Sequence, residues 1–156
     1  MDHEIIGGQF TLADGTALPL SKAIRAGDFL YLSGQLGLDA EGKLADGIES
    51  QTAACLENIR TLLAQANANM SNVVKATVWL TDLANFKAFN QVYAGVFADQ
   101  PPTRSTVCSG LALPGALVEI EVIAYLGIET DDTDAYIEEL VANTRESFEQ
   151  EGSIYS

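Results

Sequence analysis

The groups able to do chemistry are few, and they gather late in the chain. Arg104 lies in Pro101-Pro102-Thr103-Arg104-Ser105-Thr106 and is the only cationic residue between Lys87 and Arg145. The two prolines stiffen the entering chain and disfavour helix just before them. An arginine on a stiff element is a permanently charged planar fork that fits a carboxylate bidentately. Further on, Leu117-Val118-Glu119-Ile120-Glu121-Val122-Ile123-Ala124 alternates as a strand does. One face takes Val118, Ile120, Val122 and Ala124; the other takes Leu117, Glu119, Glu121 and Ile123. Two carboxylates in an otherwise apolar strand need a reason, because burying an unpaired charge is costly. The segment between, residues 109–116, is short and rich in turn residues. A hairpin-like return is therefore expected to bring Arg104 to the Glu119/Glu121 face.

Several chemistries fit these groups. Arg104 could form a structural salt bridge with Glu119 or Glu121, or hold the carboxylate of a ligand, and one glutamate orienting the fork would allow both. The Cα atoms of Glu119 and Glu121 should stand about 7 Å apart. A glycosidase carboxylate pair is conceivable, but aromatic residues do not group on that face. Cys108 alternates onto the side of Arg104, where a cation can lower a thiol pKa. The chain offers no base to activate it as a nucleophile, so a packed thiol is the better reading. The sole histidine, His3, sits at the start. With Cys55 and Cys108 far apart, zinc sites and Ser–His or Cys–His machinery are excluded, and no metal is expected.

Charge narrows the partners. The net charge is −14. Residues 1–128 hold 13 acidic and 7 basic side chains, whereas residues 129–156 hold 9 acidic and 1 basic. Such a chain is repelled by phosphate backbones, so nucleic acid and anionic membranes are both disfavoured. The start lacks a basic segment followed by an apolar run, and no apolar run of membrane-spanning length occurs. A cytoplasmic protein is expected.

The elements that must position these groups follow from periodicity. Gln9-Phe10-Thr11-Leu12 reads as a short strand ended by the turn Asp14-Gly15. Residues 23–33 read as a hairpin around Ala26-Gly27-Asp28, and the glycine of Ser33-Gly34-Gln35 permits a close approach. Asp46 and Glu49 resemble a capping box ahead of an apolar helical stripe: Ile48, Thr52, Cys55, Leu56, Ile59, Leu62, Leu63 and Ala66. Cys55 lies on that stripe and reads as an inert core thiol. Asn67-Ala68-Asn69 should stop the helix. Residues 73–80 form a strand, and Asp82 should cap a second helix with the stripe Phe86, Phe89, Asn90, Tyr93, Val96 and Phe97. This order gives an α+β fold with two helices on one sheet face. The mixed second face of the strand at 117–124 suggests contact with another subunit. Residues 129–156 form a separate extension, predicted to be an acidic amphipathic helix over 132–150. Its stripe of Ile137, Leu140, Val141 and Phe148 is expected to pack on the protein's own surface or to dock a partner.

PPTRST followed by LVEIEVIAY resembles the signature of the RidA/YjgF family of reactive-intermediate deaminases. The resemblance extends over residues 18–127, through Leu18-Pro19-Leu20, Tyr31-Leu32-Ser33-Gly34-Gln35, Val73-Val74-Lys75-Ala76-Thr77-Val78, Phe86 and Tyr93. It implies a chorismate-mutase-like mixed sheet, a homotrimer with one site at each subunit boundary, and hydrolysis of 2-imino and enamine acids to 2-keto acids and ammonia. It implies neither cofactor nor metal. Arg104 would hold the substrate carboxylate and Glu119 would activate water. Ser33, Gly34, Ser105 and Thr106 would surround the substrate, with Asn90 bordering the pocket. Leu20 stands where archetypal members bring a tyrosine into the pocket from the adjacent subunit, and Cys108 where they usually have glutamate. Both changes make the region more apolar. The alternatives are a binding protein for small carboxylates and a deaminase of a larger substrate such as 2-aminomuconate.

Overall fold

The computed structural model describes residues 3–127. The helix expected beyond residue 128, and the boundary in front of it, lie outside the described residues. The strands are β1 (His3–Thr11), β2 (Ala17–Ala26), β3 (Phe29–Leu32), β4 (Gln35–Leu36), β5 (Val73–Leu80), β6 (Thr103–Cys108) and β7 (Val118–Tyr125). The helices are α1 (Gly47–Gln65) and α2 (Phe86–Phe97). The sheet runs β1-β2-β3-β7-β5-β6, and β4 also pairs with β7. This is the expected mixed α+β architecture.

Several local expectations hold. Gly27, at φ 60°, closes the β2–β3 hairpin, in which Ala26 pairs with Phe29. Asn67 adopts φ 56° just past α1. Others are corrected. β1 begins six residues earlier than expected, because Gly7 and Gly8 form an irregularity that pairing with β2 carries on both sides. The Asp46–Glu49 capping box does not form: Asp46 makes no side-chain cap bond, and Gly47 follows it at φ 80°. Asp82 does cap, but through the Ala84 N–H at 2.8 Å in a short 3-10 turn that runs into α2.

The larger correction concerns β6 and β7, which form no hairpin. β5 lies between them, parallel to β6 and antiparallel to β7. Residues 73–108 make a strand–helix–strand unit in which α2 is the crossover that parallel pairing requires. That unit outweighs the short turn-rich link between β6 and β7.

The core fills the space between one sheet face and the two helices. Val78, Leu80, Val118, Ile120, Val122 and Ala124 meet Leu56, Ile59, Leu63 and Phe89, all essentially fully buried. Each large member contributes about 1.5–3 kcal/mol before entropy is subtracted. Gln51 is a buried member of α1 outside the expected stripe. Its Oε1 accepts from the Leu117 N–H at 2.8 Å and its Nε2 donates to the Gly115 carbonyl at 3.1 Å. It thereby staples the loop that delivers β7. A Cβ at Gly37 would stand 2.6 Å from Gln51 Cα, so only glycine lets α1 approach that close. No described helix is long and apolar enough to cross a membrane.

Candidate functional site

Strand register decides where the charged groups point. Arg104 pairs with Ala76, and Ala76 pairs with Val122. Both neighbours are buried under the helices, so Arg104 belongs to the helix-covered face, at the edge strand β6. Its guanidinium carbon lies 4.9 Å from the Tyr93 ring centroid, 5.5 Å from Phe89 and 5.9 Å from Phe86. Among the described residues the one ion pair is Arg60–Glu57. The structural salt bridge considered for Arg104 is therefore absent there, and the expected approach to the Glu119/Glu121 face does not occur.

The glutamates take the opposite face. Glu119 pairs with Trp79, which pairs with Val107; Glu121 pairs with Thr77, which pairs with Ser105. The Glu119 side chain lies against Gly34, where an added Cβ would come 2.8 Å from its Cδ. Burial raises the Glu119 pKa above the ordinary carboxylate value, and the neighbouring Glu121 charge acts in the same direction. The Ser33 hydroxyl donates to the Ser21 carbonyl at 2.7 Å. A cavity of about 320 Å³ opens on this face, lined by Ser21, Tyr31, Ser33 and Glu121 among apolar neighbours. Cys55 behaves as an inert core thiol: it donates to the Gln35 carbonyl at 3.2 Å, and burial, reinforced by Glu119, pushes its pKa up to about 12.

The residues singled out by sequence thus fall into two groups. Ser33, Gly34 and Glu119 come together. Arg104 and Thr106 share the other face, beside α2, on which Asn90 is half-buried. Ser105 alternates away from Arg104, and Leu20 stands in β2 with 39% of its surface exposed. One protomer therefore does not bring Arg104 and Glu119 to one point. Sequence reasoning missed the seat under Arg104. Phe86, Phe89 and Tyr93 follow i, i+3, i+7 spacing and read as core, although the next strand carries the arginine. It also missed Ser21 and Tyr31. The Tyr93 and Thr106 hydroxyl oxygens are buried without a protein partner among the described residues. No group of three or more His, Cys, Asp or Glu side chains is placed to hold a metal among them.

Two expected results follow locally. Gly34→Ala should fold, because the overlap is with the far end of a flexible side chain. If Glu119 takes part in chemistry, the variant should lose activity by about a hundredfold, the scale expected when a reacting group is displaced by an ångström. Turnover near that of the parent would mean that the Glu119 position over Gly34 is unimportant. The second result concerns pH. An unfolded glutamate ionises near the ordinary value of 4.5, whereas folded Glu119 keeps its proton to higher pH. As pH rises past 4.5 the unfolded chain releases this proton first, so the Glu119 contribution to stability falls until the folded carboxyl has ionised too. Glu119→Gln should therefore melt above the parent at neutral pH and converge with it below about pH 4. An offset equal at both pH values would remove titration as its cause.

The fold defines an α+β protein of the L-PSP class. A family model described as Endoribonuclease L-PSP matches residues 12–126. The chain belongs to this family, which holds the YjgF and RidA proteins. A RutC family protein from Pyrococcus abyssi is 39% identical over 109 residues, covering 69% of this chain and 86% of that protein. Reactive Intermediate Deaminase A, chloroplastic, from Arabidopsis thaliana is 45% identical over 111 residues, covering 69% of this chain and 59% of that protein. The crystal structure of RidA from an Antarctic Psychrobacter bacterium matches with a TM-score of 0.67 at 36% identity, covering 69% of this chain and 89% of that one.

Proposed function

We propose that the chain hydrolyses reactive 2-imino and enamine acids to 2-keto acids and ammonia, at sites completed between copies of a homotrimer. The observation that carries this reading is a carboxylate of raised pKa, Glu119, held against Gly34, in a chain whose Arg104 has no carboxylate partner among the described residues. Family membership and the deaminase relative support the same chemistry.

Arg104 holds the substrate carboxylate and draws electron density from the adjacent C=N bond. Glu119 takes a proton from water as the oxygen bonds to C2 and passes it to the imine nitrogen, which becomes an amine. The carbinolamine hydroxyl then gives its proton to Glu119, which delivers it to that nitrogen. The C–N bond breaks as the C=O bond forms, and the keto acid and ammonia leave. One water is consumed, and the steps need no redox partner. Because one protomer holds the two groups on opposite faces, the Arg104 of one copy works with the Glu119 of the next. β6 suits this role, being an edge strand that a neighbour can reach.

RNA cleavage, which the family's description names, fits the chain less well, since a net charge of −14 opposes a phosphate backbone. Leu20, where archetypal members have tyrosine, favours a second reading within the same chemistry, a more apolar imine or a larger one such as that from 2-aminomuconate. The test is a coupled assay: a dehydratase generates 2-iminobutanoate, semicarbazide traps it, and added protein is scored for diverting it to the keto acid. Diversion proportional to protein supports the proposal. Undiminished trapping of this imine and of the imine form of 2-aminomuconate would leave a binding role.

A further inference from the structure

We propose that the aromatic face of α2, with Tyr93 nearest, positions the Arg104 guanidinium in place of a carboxylate partner, keeping its charge available to an anionic ligand. This rests on the reading of Arg104 as a carboxylate clamp and names the residues that hold it. An arginine paired with a carboxylate presents a fork already partly neutralised. Aromatic rings attract the cation through their quadrupoles, without a counter-charge and without competing acceptors.

The geometry supports this division of labour. Phe86, Phe89 and Tyr93 lie on one helix face by their spacing, and all three ring centroids stand within 6 Å of the guanidinium carbon. Two of the rings are held in the core. Phe89 and Tyr93 are buried, with centroids 5.4 Å apart, and Tyr93 packs at a tilt on Phe97, with centroids 4.7 Å apart. Arg104 remains exposed above them. The Tyr93 hydroxyl has no protein partner among the described residues. Desolvation raises the Tyr93 pKa and the Arg104 charge opposes that rise, in keeping with their proximity.

The experiment separates ring from hydroxyl and position from folding. 2-Oxobutanoate is titrated into the parent, Tyr93→Phe, Tyr93→Leu and Phe86→Leu. Arg104 is followed by its side-chain Nε–H resonance, assigned by its loss in Arg104→Lys. The parent signal should be displaced by the ring currents. Tyr93→Phe should keep both the displacement and the affinity within about twofold. Tyr93→Leu should reduce the displacement and weaken 2-oxobutanoate binding by about tenfold, chiefly as a rise in KM when imine turnover is measured. Phe86 is partly exposed, so Phe86→Leu should fold and show a smaller change of the same kind. An undisplaced parent signal overturns the proposal, as does affinity unchanged in both Phe86→Leu and a folded Tyr93→Leu. A loss in Tyr93→Phe equal to that in Tyr93→Leu would move the role to the hydroxyl and overturn it too. If the parent neither binds 2-oxobutanoate nor hydrolyses imines, the deaminase reading fails, while the resonance still reports whether the rings hold Arg104.

Discussion

Arg104→Lys is expected to lower kcat/KM on 2-iminobutanoate by about a hundredfold or more. Lysine keeps the charge but loses the planar fork, so it can neither grip a carboxylate bidentately nor spread its charge over Phe86, Phe89 and Tyr93 as a guanidinium does. Stability should change little, because Arg104 is exposed on an edge strand and has no carboxylate partner among the described residues. The measurement is steady-state turnover with a melting curve on the same sample. A folded Arg104→Lys protein with the parent's kcat/KM would show that a point charge suffices, and the clamp would have to be abandoned.

Glu119→Gln is the second large expectation. It should reduce imine hydrolysis by about 10²- to 10⁴-fold, the scale of a lost general acid–base group, while 2-oxobutanoate still binds through Arg104. Glu121→Gln should act more gently. Glu121 lines the cavity on the same face and raises the Glu119 pKa, so its removal should shift the acidic limb of the pH–rate profile downward. If Glu121→Gln is the dead variant and Glu119→Gln the mild one, water activation has been given to the wrong glutamate. The pair Arg104→Lys and Glu119→Gln also tests the assembly. Unfolded together and refolded as mixed trimers, the two inactive variants should regain activity at about a quarter of the boundaries, where each contributes its intact residue. Mixed trimers as inactive as either parent variant would require both groups to come from one chain.

Sequence showed the elements better than their arrangement. The alternation in β7 correctly placed Glu119 and Glu121 opposite the buried valines, because a strand's two-residue period depends only on neighbouring residues. The stripes of α1 and α2 were legible for the same local reason. Which strand lies beside which is a non-local matter. Nothing in residues 109–117 says that β5 separates β6 from β7, and that one insertion moves Arg104 to the other face from Glu119. Gln51 escaped notice because its partners, Gly115 and Leu117, are more than sixty positions away. The aromatic seat was hidden differently: the rings that pack the core and the rings that carry Arg104 are the same ones.

The place of β3 in the sheet has a consequence for how the chain is made. β1, β2 and β3 are joined by short turns and can pair as soon as they leave the ribosome. The inner edge of β3, however, pairs Phe29 with Tyr125 and Tyr31 with Ile123, nearly a hundred residues later. Closing so long a loop is slow. Until β7 emerges, the early meander holds an open edge, the condition in which chains most readily aggregate. Substitutions that weaken the β3–β7 seam should therefore reduce the yield of folded protein more than they reduce the stability of the molecules that do fold.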